Sequence, residues 1–258
     1  PLPLWSAHMG QAEMLHHSEL ANKHAPELKT FDRYGMRVDQ VEFHPAYHTL
    51  MEAAIRNEVH SFAWNHEGAG AHVANGALQY MYQQIEGGVM CSMAMTYSAL
   101  PSLHSTPGIA EEWIPRLLST TYDPRDIPVE QKLGATMGMF MTEKQGGSDV
   151  RANSTRAVPA GIGEGVGQEY RITGHKFFSS APMCDAFLVL AYSDGGLSCF
   201  LVPRWRPDGT RNGMYLQRLK DKLGNKSNAS SEVEFVDAYG VMLLSLIHIS
   251  EPTRHVDI

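Results

Sequence analysis

The spacing of hydrophobic residues changes about halfway along the chain. In the first half, apolar residues recur every three or four positions, which is the spacing of amphipathic helices. In the second half, short apolar or alternating runs are separated by Gly and Pro, which is typical of strands. The first pattern predicts helices over residues 9–24, 45–55, 60–82, 86–100 and 109–118. The second pattern predicts strands over residues 138–142, 154–157, 170–173, 176–180, 187–192, 197–203, 214–218 and 232–236.

Helices followed by strands favour a segregated α+β fold, with a cofactor at the junction of the two halves. We expect an N-terminal helical domain over residues 1–131. A middle domain over residues 132–243 is then a small barrel or sandwich of strands. Helix 86–100 is apolar nearly all round, which predicts a buried central helix that ends at Pro101.

Both ends of the sequence depart from the pattern of its interior. The chain begins at Pro1 without the basic and apolar regions of a signal peptide. Residues 244–258 resemble sequencing-adapter read-through translated as coding sequence, and we exclude them from the fold as a non-native tail. A short natural tail is the alternative. We therefore interpret the chain as a fragment that lacks part of its start and a large C-terminal portion.

The composition is that of a soluble globular protein of one or two domains, with 258 residues, 43% hydrophobic and 19% charged. No apolar run approaches the roughly 18–20 residues that span a membrane. Cys91, Cys184 and Cys199 show no disulfide or metal spacing, which favours buried reduced thiols and a cytoplasmic location. The net charge of −7 disfavours nucleic-acid binding, because that affinity comes from Lys and Arg that neutralise phosphates.

The first segment that carries chemistry is residues 141–150, MTEKQGGSDV, which follow a short apolar run. Gly146 and Gly147 lack a Cβ, so the chain there can adopt positive φ and approach a bound group closely. The hydroxyls of Thr142 and Ser148 are donors suited to carbonyl or phosphate oxygens. An ordinary hairpin turn is the alternative interpretation of this segment.

The second segment is residues 170–180, YRITGHKFFSS, which read as a strand, a turn at Gly174 and a second strand. Phe177 and Phe178 stand beside Ser179 and Ser180. Aromatic rings followed by hydroxyls can face a planar ligand and hydrogen-bond its edge. Two core phenylalanines and a pair of turn serines are the alternative.

Together, the two segments resemble the acyl-CoA dehydrogenase flavoprotein family. The first resembles that family's Thr–Glu–x–x–x–Gly–Ser signature, and the second its Gly–x–Lys–x–(Trp/Phe)–x–(Thr/Ser) signature. Further stretches, GGLSCFLVPR and RLKDKLGNKSNAS, are similar to the adaptive-response, alkylation-induced branch, which allows Phe178 at the usual Trp position. The resemblance runs from about residue 27 to residue 243 and is most specific over 136–236.

The resemblance implies a fold, a cofactor and a set of contacts. The fold is an N-terminal helical domain followed by a small antiparallel β-barrel domain, with the C-terminal helical domain missing. The cofactor is FAD: Thr142 would donate to the pyrimidine edge of the flavin, Ser148 would hold the pyrophosphate, and Phe178 would lie against the ring with Ser180 near N5. The implied flavin-contacting residues are Met141, Thr142, Gly147, Ser148, Phe178, Ser179 and Ser180.

The resemblance also places several functions outside this sequence. The family's catalytic glutamate, the helix bundle of its homotetramer and the branch's basic DNA-binding region all belong to the C-terminal part. We name no catalytic base, and we expect Glu143 to orient neighbouring groups. The first function class is α,β-dehydrogenation of acyl-CoA thioesters. The alternative is an alkylation-response flavoprotein that protects DNA through the missing region, with little dehydrogenase activity. A third is a structural module without a cofactor.

Three further patterns have structural explanations. His44 and His48 lie four residues apart, as in a zinc pair, but no third ligand accompanies them, which favours surface or capping roles. The glycines at alternate positions over 161–167 lack the spacing of a nucleotide loop and favour a hairpin loop. A basic cluster is interpreted as solvated surface. The sharper hypothesis is that the cluster binds an anion, either the pyrophosphate of the cofactor or the tail of coenzyme A. Its members are Lys176, Arg218, Lys220, Lys222 and Lys226.

Overall fold

The computed structural model describes residues 9–244, in which helices come first and most strands follow. The helices are α1 (Ala12–Lys23), α2 (Pro45–Arg56), α3 (Phe62–Asn65), α4 (Ala71–Gln83), α5 (Gly87–His104) and α6 (Pro107–Leu117). The strands are β1 (Glu27–Phe31), β2 (Arg37–Glu42), β3 (Met137–Thr142), β4 (Arg156–Pro159), β5 (Glu169–Ser180), β6 (Ala186–Ser193), β7 (Gly196–Pro203), β8 (Met214–Leu219) and β9 (Ser230–Leu244). Short 3-10 helices span Val129–Gln131 and Gly147–Ala152. The tail predicted over 244–258 lies outside the described residues, except for Leu244.

Local sequence explains how α2 begins. Pro45 occupies its first turn, where the missing N–H leaves no carbonyl without a donor. His44 caps the helix, because its Nδ1 accepts a hydrogen bond from the Ala46 N–H at 3.2 Å. The capping interpretation of His44 is therefore confirmed. His48 lies one turn further and pairs with the Tyr122 hydroxyl at 2.7 Å.

The structure corrects two helix boundaries. Residues 60–82 form α3 and α4 instead of one helix, because Gly68 and Gly70 adopt positive φ of 152° and 82° and interrupt the helical path. Pro101 lies inside α5 and does not end it. It stands in the last turn, where its ring removes only one backbone hydrogen bond, and Leu103 beyond it is fully buried.

The central helix α5 joins the helical half to the sheet. It is buried on most sides, as its apolar pattern predicts. The Thr96 hydroxyl accepts a hydrogen bond from the Met137 N–H at 3.0 Å, which ties α5 to the start of β3. At the other end, Glu86 caps the helix through the Gly88 N–H and accepts from the Ser227 hydroxyl, both at 2.6 Å. These bonds fix the position of α5 along the sheet.

The large sheet has seven strands in the order β3-β5-β4-β6-β7-β9-β8, with additional pairings β3–β6 and β5–β9. The extra pairings complete a closed circuit of hydrogen-bonded neighbours through β3, β5, β9, β7 and β6. The prediction of a small antiparallel barrel is wrong in strand direction, because β3 and β4 both pair with β6 in parallel. The domain is a mixed sheet.

The small hairpin of β1 and β2 lies against the far edge of this sheet. Arg37 donates to the Leu216 carbonyl at 2.9 Å, and Asp39 accepts from the Leu216 N–H at 3.2 Å. The chain segment between the first two helices is therefore anchored on β8. Over residues 9–244, no helix is both long and apolar enough to cross a bilayer.

Candidate functional site

The two segments singled out in the sequence lie side by side. Strands β3 and β5 pair antiparallel, with Thr142 opposite Phe178 and Met139 opposite Ser180. Cross-strand partners carry their side chains on the same face of a sheet, and residues two apart on one strand return to that face. Thr142, Phe178 and Ser180 therefore share one face, which we call the open face.

The predicted contact residues differ in how accessible they are. Phe178 is 40% exposed, so its ring reaches the surface. Gly147 and Ser148 are exposed, and Met141, Thr142 and Ser180 are half-buried. Ser179 is fully buried, and its hydroxyl has no hydrogen-bond partner within the described chain. The Ser179 side chain therefore points away from the open face.

The loop after β3 folds back against the strand that it leaves. Gly146 has φ of +116°, which favours glycine. A Cβ added to Gly147 would lie 2.8 Å from the Thr142 Oγ1, so the glycine is needed for this close approach. The buried Asn153 holds the loop closed by donating to the Met141 carbonyl at 3.0 Å and accepting from Gln145 at 2.8 Å. The exposed Ser148 is thereby held near Thr142.

A buried ion pair fastens the first segment to the second. The Glu143 carboxylate accepts five hydrogen bonds, one from the Lys176 Nζ at 2.8 Å. The other four come from the N–H and hydroxyl groups of Ser154 and Thr155. We call Glu143, Ser154, Thr155 and Lys176 the ion-pair cluster. Because every acceptor site of the carboxylate is used, Glu143 is not available as a catalytic base, in line with the orienting role predicted for it.

The pKa values in this pair follow from burial and hydrogen bonding. Burial alone would raise the pKa of Glu143, but the donors from Lys176, Ser154 and Thr155 outweigh it and lower the pKa to about 2. For Lys176, burial lowers the pKa and Glu143 opposes that change. The pair is therefore held in its charged form by the hydrogen bonds around it.

The interpretation of Lys176 as part of a solvated basic cluster is wrong, since its side chain is fully buried. Arg218 and Lys220 do not stand free either, because both pair with Glu232. Asn153 and Lys176 are the site residues that sequence reasoning missed. The turn predicted at Gly174 is wrong, because β5 runs unbroken through it. A lysine two residues after Gly174, directly before two phenylalanines, was the available signal.

Helix α5 borders the open face. Its Cys91 thiol lies beside the Ser180 hydroxyl, and burial raises the pKa of Cys91 despite that neighbour. Cys184 and Cys199 are buried free thiols whose pKa values burial raises to about 12. The three thiols are therefore protonated at neutral pH, as expected for reduced cysteines without a catalytic role.

The open face fits a planar aromatic ligand with polar edges. Phe178 presents a ring to the surface, with the Thr142 hydroxyl on the neighbouring strand and the Ser180 hydroxyl two residues further along its own strand. The glycines of the loop leave room for a group close to the backbone, next to the Ser148 hydroxyl. A flavin has this shape and these edges, so the residues present fit FAD.

Comparisons with known proteins agree with this arrangement. Residues 138–238 match the family described as acyl-CoA dehydrogenase, middle domain. The helical half, residues 2–124, matches the adaptive response protein AidB N-terminal domain. The chain belongs to the acyl-CoA dehydrogenase family. Within that family, its first half is of the AidB type.

Individual relatives are longer than this chain. AidB of Escherichia coli (strain K12) is 50% identical over 237 residues, which are 91% of this chain and 43% of AidB. Acyl-CoA dehydrogenase family member 11 of Caenorhabditis elegans is 32% identical over 240 residues, 86% of this chain and 37% of the relative. The chain thus spans less than half the length of these relatives.

Solved structures share the fold. The apo form of Bd2924 has a TM-score of 0.78 at 29% identity, covering 90% of this chain and 46% of that chain. Caenorhabditis elegans ACDH-11 in complex with C11-CoA has a TM-score of 0.76 at 30% identity, covering 90% and 40%. A Bacillus anthracis acyl-CoA dehydrogenase complexed with FAD has the same fold, with a TM-score of 0.58 at 19% identity over 78% and 32%.

Proposed function

We propose that the protein is a FAD-dependent, acyl-CoA dehydrogenase-like oxidoreductase that carries out α,β-dehydrogenation of acyl thioesters. The observation that carries the proposal is the open face, where the exposed ring of Phe178 lies beside Thr142 on β3 and near Ser180 on its own strand. A relative of the same fold binds FAD, and the more similar ACDH-11 binds C11-CoA. We propose that this protein binds FAD and an acyl-CoA as well.

Each residue of the open face has a distinct task in this proposal. The Phe178 ring provides an apolar support for the flavin, and the Thr142 and Ser180 hydroxyls hydrogen-bond its polar edges. Ser148 binds the pyrophosphate beside the loop glycines. Met141 and Gly147 shape the backbone around these groups, and Ser179 contributes through its main chain alone. Bound FAD supplies the acceptor for the hydride of the β-carbon.

The proton of the α-carbon requires a base that the described residues of the open face do not provide. Glu143 lies next to Thr142 in sequence, but its carboxylate is 3% exposed and fully hydrogen-bonded. A base must reach the proton that it removes and must have a free lone pair. Glu143 therefore positions the two segments, and the base comes from a part of the protein outside them.

The test is anaerobic spectroscopy on the purified full-length protein. We expect visible flavin absorbance that stays with the protein through gel filtration, and FAD in the supernatant after denaturation. Adding an acyl-CoA with an eleven-carbon chain is expected to bleach that absorbance, because the substrate reduces the flavin. A colourless protein that also fails to take up added FAD would contradict the cofactor and the reaction together.

A second candidate has one observation in its favour, the match to AidB at 50% identity. In this case the protein is an alkylation-response flavoprotein that binds DNA through residues beyond this chain. Flavin that is present but not bleached by acyl-CoA would favour this second function. An electrophoretic mobility shift with duplex DNA then tests it, and the chain alone, with net charge −7, is expected to give no shift.

The homotetramer and the cytoplasmic location remain predictions. The homotetramer is testable by light scattering on the eluting protein. A monomer at micromolar concentration would count against the tetramer without affecting the flavin proposal.

A further inference from the structure

Four lysines from two separate parts of the chain line one cleft, which we call the lysine cleft. Lys23 ends α1, and Lys220, Lys222 and Lys226 lie in the loop between β8 and β9. The cleft has a volume of about 290 Å³. Among the described residues that line it, Asp221 is the one carboxylate. Although Lys220 pairs with Glu232, the lining still has more positive than negative side chains, whereas the whole chain carries a net charge of −7.

Lys222 is half-buried in the lysine cleft and is paired only with neutral groups. Its Nζ donates to the Asn228 carbonyl at 2.7 Å and to the Ser230 hydroxyl at 3.0 Å. Within residues 9–244, no carboxylate lies at ion-pair distance from this ammonium. Burial lowers the pKa of Lys222, and the nearby Cys91 thiol opposes that change. A partly desolvated ammonium without a counter-charge is stabilised by a bound anion.

The walls of the lysine cleft are fixed before any ligand binds. Asn22 joins them, because its Nδ2 donates to Glu86 at 2.9 Å and its Oδ1 accepts from the Ser227 N–H at 3.2 Å. Lys220 is held by its ion pair with Glu232 and by the Phe177 ring, whose centroid is 3.3 Å from the Nζ. A preformed site loses little conformational entropy on binding, which favours affinity.

We propose that the lysine cleft binds a phosphate group, as inorganic phosphate or as the phosphate end of a nucleotide coenzyme. A compact anion with several acceptor oxygens matches a cleft of this volume that is lined by lysine side chains. The cleft is one strand away from the open face, because Ser230 in its wall pairs with Ser180 of β5. The residues that line the cleft are different from the proposed flavin contacts.

The experiment is isothermal titration calorimetry of the purified protein with inorganic phosphate at low ionic strength. We expect saturable binding, which the double variant Lys23→Gln/Lys226→Gln weakens about tenfold, since two exposed charges are lost. Both side chains are exposed, so the fold should be retained. The matched control, Lys29→Gln/Arg33→Gln, removes two positive charges from the exposed β1–β2 hairpin and is expected to leave the affinity within about twofold.

Competition separates the sources of the phosphate. If coenzyme A abolishes phosphate binding, the site takes a coenzyme A phosphate. If saturating FAD does so, the FAD phosphates lie in the lysine cleft and not at Ser148. If neither competes, the ligand is free phosphate. The absence of saturable phosphate binding, or an equal loss in the cleft and hairpin variants, would overturn the proposal. FAD binding at the open face would be untouched by that result, so the two proposals fail separately.

Discussion

Two groups of side chains meet where β3 and β5 run side by side, and they differ in how deeply they are buried. In the ion-pair cluster, Glu143 accepts five hydrogen bonds and Lys176 is fully buried. On the open face, Phe178 is 40% exposed and the hydroxyls of Thr142 and Ser180 border it. The carboxylate of the cluster is fully hydrogen-bonded and buried, whereas the open face leaves an aromatic ring exposed.

This difference separates stability from binding. A buried charged pair contributes to the folded state only while both partners are present, because a lone buried charge is costly. An exposed aromatic ring contributes little to folding but can bind a ligand. We therefore expect substitutions in the cluster to change unfolding, and substitutions on the open face to change flavin affinity.

The largest effect is expected for Lys176→Met. The variant leaves Glu143 buried without its counter-charge, so the free energy of unfolding should fall by about 3–5 kcal/mol. Denaturant titration followed by circular dichroism measures this change. The control Lys29→Met removes the partner of Glu42 in an exposed pair and should cost about 1 kcal/mol or less. Equal losses of unfolding free energy in the two variants would show that the buried pair contributes no more to stability than an exposed pair.

Next in size is the pH dependence of stability. The pKa of Glu143 is lowered to about 2 in the folded chain, against 4.5 when unperturbed. Its contribution is therefore present above about pH 4.5 and is lost as the pH falls towards 2. Glu143→Gln removes the group that takes up this proton. The free energy of unfolding of the variant should therefore change less steeply with pH over this window than that of the unaltered protein. Parallel slopes for the two proteins would contradict the assignment.

A smaller effect, on binding and not on folding, is expected for Thr142→Val. Loss of the hydroxyl leaves a polar flavin edge without its donor, which should weaken FAD binding by about 1–3 kcal/mol. Fluorescence titration with FAD gives the dissociation constant, and the unfolding midpoint of the apo protein should move little. A large drop in that midpoint with unchanged FAD affinity would show that Thr142 contributes to folding and not to FAD binding.

The smallest effect is expected for Ser179→Ala. The Ser179 hydroxyl is buried and has no partner in the described chain, so removing it should leave stability unchanged or raise it by up to about 1 kcal/mol. FAD affinity should not change, because the side chain points away from the open face. Thermal unfolding and FAD titration measure the two quantities. Weaker FAD binding in this variant would show that the Ser179 side chain contacts the cofactor.

The sequence predicts the open face better than it predicts the sheet. The glycines and hydroxyls at 142–148 and the aromatic–serine run at 178–180 act locally, so their chemistry is visible without the fold. The direction of β3 is not, because the parallel pairing of Met137 with Ala186 joins residues that are distant in sequence. Strand periodicity carries no information on which neighbour a strand chooses.

The charge of a residue does not show whether it is buried. Lys176 has the appearance of a surface lysine, and only the fold brings it to Glu143. The proline in α5 is a similar case, since Leu103 and its neighbours supply packing that outweighs one missing hydrogen bond. The partner of Lys176 and the packing around Pro101 both depend on the fold, and neither is visible in the local sequence.

The most direct test of the central claim is the FAD dissociation constant of Phe178→Ala measured beside that of Phe177→Ala. Each variant removes one phenyl ring, and the two rings belong to neighbouring residues. The Phe177 ring lies against the Lys220 ammonium. We predict that Phe178→Ala weakens FAD binding at least tenfold, while Phe177→Ala stays within about threefold of the unaltered protein. Equal weakening in both, or none in Phe178→Ala, would contradict the assignment of the open face as the flavin site.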